Sequence, residues 1–215
     1  MPILTSKVIP APQEKGDEKE EGPRKSVRMF VISVHTLFKM HGGERHPKIE
    51  PYEELRDRGE LVLWKYVPPD SKMIYISHEW VGINHPDPQG NQMYHLLLLL
   101  ERLQRGDVSR TDMDVMHSLV YKHKHTTTAQ DWQRILDPKK TFIFYDGFCV
   151  PTEKREEGFR MIPEFIERCD FMFILAPGCT HVDKIDPRTR RKMNLVGTSP
   201  YSEARFHGKW VFYVS

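Results

Sequence analysis

A mostly parallel, doubly wound α/β sheet is the fold class the sequence predicts, on three observations. The short apolar runs 73–77 (MIYIS), 141–145 (TFIFY) and 171–175 (FMFIL) lack alternation, as strands covered on both faces do. Between them lie stretches with apolar residues at helical spacing. Each run stops abruptly in polar or turn residues: Ser77-His78-Glu79-Trp80, Asp146-Gly147 and Ala176-Pro177-Gly178. Strands alternating with helices are βαβ units, and right-handed crossovers wind them into a flavodoxin-like sheet.

The elements follow in chain order. Residues 1–26 mix Pro, Gly, Lys and Glu with almost no apolar content after Ile9, a composition that predicts a disordered tail. One α/β domain is expected over 27–215, with 27–60 as an N-terminal extension and 61–215 as its core. In the extension, 27–34 (VRMFVISV) reads as a strand or docking segment and 51–58 as a short helix. Residues 61–66 (LVLWKY) read as a strand ended by the Pro68-Pro69-Asp70 turn. Asn91 is placed to cap a helix reaching Arg105, with Met93, Leu96, Leu97, Leu100 and Leu103 on one face and Gly106 closing it. A Thr-x-x-Asp pattern at Thr111 predicts a second helix over 111–121. A third is expected over 128–136, stopped by Asp137-Pro138, and a fourth over 160–168 with Pro163 in its first turn. The run 209–214 (KWVFYV) is strand-like.

Composition narrows the function classes. A net charge of +2 favours no particular partner, and the basic runs 122–125 and 188–192 are short enough to be solvated faces, so no nucleic acid is expected. Three cysteines (Cys149, Cys169, Cys179) make neither a CxxC nor an even-numbered framework, as for free thiols in a reducing compartment. Without a signal-peptide h-region or an apolar run near the ~20 residues a bilayer requires, the expectation is a cytoplasmic protein with no membrane partner.

Open α/β sheets bind ligands outside the carboxyl ends of their strands. The candidates gathered there are Ser77, His78, Trp80, His85, Asp87 and Asp146. A carboxylate near a histidine suits acid–base work or ribose hydroxyls, and Trp80 could stack on a flat ring. Equally, His78 and Asp146 could bond loop backbone while Trp80 caps the core. His117, His123 and His125 offer nitrogen donors, but no Cys or carboxylate lies at a recognised spacing, so no metal is expected. Cys149 follows a strand end, as a nucleophile might, though a small buried side chain is the simpler account. Neither GxGxxG nor GxxxxGK[ST] occurs.

IYISHEW, HPDPQGNQ, FIFYDGFCVPT and MIPEFIERCDFMFILAP, in that order, resemble the TIR-like domains allied to the fungal heterokaryon-incompatibility group. The resemblance covers about residues 60–215. It implies a flavodoxin-like fold and homotypic association with other TIR-like domains, and it places Ser77, His78, Trp80 and Asp146 at matching strand ends. Some such domains cleave NAD with a glutamate in a closing Trp-Cys-x-x-Glu segment; others are signalling scaffolds. Here Arg205, Gly208 and Trp210 match the lead-in, but Val-Phe-Tyr-Val follows the tryptophan, so the cysteine and glutamate are missing. The expected function is therefore a non-catalytic signalling or self-association module with no cofactor. The alternatives are an NAD-cleaving hydrolase using Glu79 or Glu203, and a C-terminally truncated remnant.

Overall fold

The computed structural model describes residues 27–112, 126–175, 179–185, 188, 190–195 and 210–214. The 1–26 tail, most of the 111–121 helix, the 176–178 turn, Glu203 and His117, His123 and His125 lie outside the described residues.

Chain order is β1 (Phe30–Ser33), α1 (Val34–His41), α2 (Tyr52–Asp57), β2 (Leu61–Leu63), β3 (Lys72–His78), α3 (Asn91–Arg105), β4 (Arg110–Asp112), β5 (Thr126–Thr128), α4 (Ala129–Ile135), β6 (Thr141–Tyr145), α5 (Asp146–Cys149), α6 (Arg155–Glu167), β7 (Phe171–Leu175), β8 (Cys179–Ile185), β9 (Lys192–Leu195) and β10 (Trp210–Val214). Six strands form the central sheet in the order β10-β7-β3-β6-β1-β2. β10, β7, β3 and β6 are parallel, while β1 runs antiparallel to both β6 and β2. Counted in chain order, the parallel strands have the sequence 2-1-3-4, the start of the flavodoxin-like order. β3 and β7 then flank the switch point where such sheets form their crevice.

Register fixes which side chains share a face. Ile74 pairs with Ile143 and Phe171, and Ile76 with Tyr145 and Phe173, so His78 continues this face at the end of β3. Trp132 of α4 packs on Phe171 and Phe173, which covers the face with α3 and α4. On the other face Tyr75 stacks on Phe144, and Phe165 of α6 packs on Phe144 at 5.1 Å. Both faces are thus covered, which is why these strands read as continuous apolar runs. α3 buries the five predicted apolar residues and also Gln92, and Gly106 ends it at φ 80.

Several local expectations change. Residue 34 is not strand: the Ser33 Oγ accepts from the Thr36 N–H at 3.0 Å, and this cap starts α1. The 61–66 strand stops at Leu63, and Trp64–Tyr66 is a 3₁₀ turn whose Trp64 N–H reaches the Met29 carbonyl. Asn91 does not cap α3. Asp87 does, one carboxylate oxygen accepting from the Asn91 N–H and the other from the Met93 N–H. Thr111 itself lies in a strand: residues 110–112 pair with β5, and the Thr111 hydroxyl accepts from the Trp132 indole at 3.0 Å. The fourth helix starts at Arg155, so Pro163 lies in its interior and offers no N–H to the Phe159 carbonyl. Gly158, inside the same helix, lets it approach Val150, since a Cβ there would stand 2.3 Å from a Val150 methyl.

Candidate functional site

Three of the predicted residues meet at the carboxyl ends of β3 and β6. The His78 ring stacks on Tyr145 at 4.2 Å, and its Nε2 lies 2.5 Å from Asp146 Oδ1. The other carboxylate oxygen accepts from the Trp80 indole N–H at 3.2 Å. On its far side His78 Nδ1 lies 3.0 Å from Gln92 Oε1 and 3.3 Å from the Tyr145 hydroxyl. Both partners are nearly sealed: the His78 side chain is 1% exposed and that of Asp146 is 11%.

The hydrogen bonds determine where the protons sit. Gln92 Nε2 donates to the Glu79 carbonyl at 2.7 Å, and a carbonyl only accepts, so the amide oxygen must face His78. His78 Nδ1 therefore carries a proton. Its Nε2 faces a carboxylate, and Asp146 is held below the usual carboxylate range. Burial alone would raise the Asp146 value, but the His78 charge and hydrogen bond, with the Trp80 N–H and the Gly147 amide, outweigh it. Asp146 is thus held as a carboxylate, and both His78 ring nitrogens and both Asp146 oxygens have partners inside the protein.

The flanking loop uses its polar residues in another way. His85 Nδ1 accepts from the Asp87 N–H at 3.1 Å, so its proton is on Nε2, which donates to the Ile49 carbonyl. Asp87, 1% exposed, is spent on the start of α3. Ser77 is buried on the opposite face of β3 from His78 and does not join the cluster. Glu79 is exposed, and its carboxylate makes no hydrogen bond or ion pair among the described residues. Cys149 is buried beneath β6, and burial pushes its thiol well above the ordinary range, the inert rather than the nucleophilic case.

Four participants had been missed. Tyr145 is the platform under His78, and Gln92 orients it. Arg155 lies over the Trp80 ring at 4.5 Å, with Phe159 edge-on at 5.9 Å. His181 is buried in the β8–β9 hairpin, where its Nδ1 accepts from the Asp183 and Lys184 N–H groups. Gln92 alone left a signal in the sequence: it stands four residues before Leu96, on the stripe that faces the core.

The loops of β3 and β7 are joined at the switch point. The Val182 N–H donates to the Val81 carbonyl and the Ile83 N–H to the Asp183 carboxylate, both at 2.8 Å. Gly82 permits this approach, since a Cβ there would lie 2.9 Å from the His85 carbonyl oxygen and from Pro88 and 3.3 Å from Val182. Among the described residues no group of three or more His, Cys, Asp or Glu is placed to hold a metal ion. None of their helices is long and apolar enough to cross a membrane. No protein-family model, curated protein or solved structure matches this chain.

Proposed function

We propose that this chain is a TIR-like signalling module that works by homotypic association rather than by chemistry. The observation that carries this reading is the closed His78–Asp146–Trp80–Gln92 network. A general base needs a free lone pair aimed at substrate, and a ribose clamp needs free acceptors. Here both ring nitrogens and both carboxylate oxygens are engaged inside the protein. The network instead fixes the strand ends as a rigid platform, which suits a docking domain. A contact surface is available elsewhere: Trp64 and Tyr66, on the turn after β2, are 39% and 58% exposed. Arg168 lies over the Trp64 ring and Lys65 over that of Tyr66, the aromatic and cationic mix favoured in protein interfaces. Concentration-dependent light scattering should reveal self-association. Trp64→Ala with Tyr66→Ala should weaken it about tenfold or more while the melting temperature moves little. A strictly monomeric chain at high concentration would remove the proposal.

A second reading, NAD cleavage, is favoured by one feature. Glu79 is the acid at the β3 end that carries no internal hydrogen bond among the described residues, and it adjoins the half-buried Trp80. Purified protein incubated with NAD is expected to release no nicotinamide. Release that disappears in Glu79→Ala would make this an enzyme and replace the first reading.

A further inference from the structure

We infer that Lys184, Ile185, Arg188 and residues 190–192 of the β8–β9 hairpin, with Ile83 beside them, attach this protein to anionic lipid surfaces, independently of the association proposed above. Charge is the first observation. Residues 183–192 carry five cations (Lys184, Arg188, Arg190, Arg191, Lys192) against Asp183 and Asp186, a local excess of three in a chain whose total is +2. The local net charge thus exceeds that of the whole chain, and the remaining residues sum to about −1. One carboxylate, Asp183, is turned inward to the Ile83 N–H. The five cations are exposed.

The second observation is apolar. Ile83 and Ile185 are 64% and 62% exposed, the most exposed of the large hydrophobic residues among those described. They belong to one end of the molecule, because the Ile83 N–H is tied to Asp183, two positions before Ile185. The third observation is conformational. Arg190 has φ 53, the one positive value at a non-glycine among the described residues. Glycine would occupy that backbone region without strain, yet the position holds an exposed guanidinium.

Aliphatic side chains set among cations match the boundary of a bilayer, where phosphates and carboxylates take the cations and the acyl region takes the isoleucines. Single-stranded nucleic acid is gripped with stacking rings, and 183–192 contains no aromatic residue. A duplex would use the cations on its phosphates but would leave the exposed Ile83 and Ile185 without an apolar partner. The attachment is peripheral and is expected to be salt-sensitive, because the cations are exposed.

The test uses the full chain in co-sedimentation with phosphatidylcholine vesicles, with and without about one third phosphatidylserine. Binding is expected with phosphatidylserine only, and it should disappear as salt rises from about 0.05 M to about 0.5 M. Each surface cation strengthens such binding about fivefold, so Arg190→Ala, Arg191→Ala and Lys192→Ala together should weaken it on the order of 100-fold. Ile185→Ser should weaken it about tenfold. Equal binding to neutral vesicles, binding that the triple variant leaves unchanged, or retention on RNA or duplex DNA with no vesicle binding would each overturn the inference. Should a variant fold poorly by its melting curve, the lipid and salt dependence of the unaltered chain still decides.

Discussion

Asp146→Ala is expected to destabilise the fold by about 3–5 kcal/mol at neutral pH, a large part of the ~5–15 kcal/mol that holds a domain together. Removing the carboxylate leaves the buried His78 Nε2 without its partner and the Trp80 indole N–H with no acceptor. His78→Ala should cost a similar amount from the other side, stranding a buried carboxylate, and the double variant should cost less than the sum of the two. Urea denaturation of the four proteins measures this cycle. The effect also has a pH signature. The folded Asp146 lies below its ordinary value, so its contribution is fully present above the unfolded carboxylate range. It is lost as pH falls through the depressed folded value, because protons then bind the unfolded chain first. The difference between wild type and Asp146→Ala should therefore be constant near neutrality and shrink below about pH 4. A cost under ~1 kcal/mol at pH 7 would mean that the pair is solvated and free, and would reopen a chemical role for His78.

The sequence carried the parts of the fold whose cause is local or periodic. β3, β6 and β7 are legible because cover on both faces demands unbroken apolar runs. α3 is legible because Met93, Leu96, Leu100 and Leu103 repeat at helical spacing before Gly106. What stayed hidden depends on partners far along the chain. Thr111 looks like a cap, but the Trp132 indole, twenty-one residues later, claims its hydroxyl. Nothing local says that residues 30–33 run antiparallel beside β6 and lie inside the sheet. The site divides in the same way. The rule of strand ends found His78, Trp80 and Asp146, whereas Gln92 and Tyr145 matter only once α3 and β6 both lie beside the end of β3. His85 and Asp87 were noticed for their chemistry, yet their bonds fasten a loop and cap a helix. Titratable side chains near a strand end are equally good loop fasteners, and only the hydrogen-bond partners separate the two uses.

Gly90→Ala should be the most damaging single-methyl change in this loop, and Gly59→Ala measures why. Both glycines have left-handed backbone, φ 71 and φ 72, where an alanine costs about 1–2 kcal/mol. At Gly59 nothing lies within 4 Å of the added Cβ, so the strain stands alone. At Gly90 the same atom would be 2.6 Å from the Pro47 carbonyl oxygen and 2.9 Å from the His46 carbonyl carbon. Those are backbone atoms, which cannot turn aside as a side chain can, so either the 46–47 segment or the start of α3 must move. Overpacking of this kind adds about 1–3 kcal/mol, which puts Gly90→Ala at about 2–5 kcal/mol against ~1–2 for Gly59→Ala. The excess measures how firmly the loop after β3 is seated on the 46–47 segment. That seat also takes the His85 bond to the Ile49 carbonyl, and it holds Asp87 under the first turn of α3, from which Gln92 reaches His78. Equal losses in the two variants by urea denaturation would mean that the loop is not seated there, and that the His78 network does not depend on the N-terminal segment for its alignment.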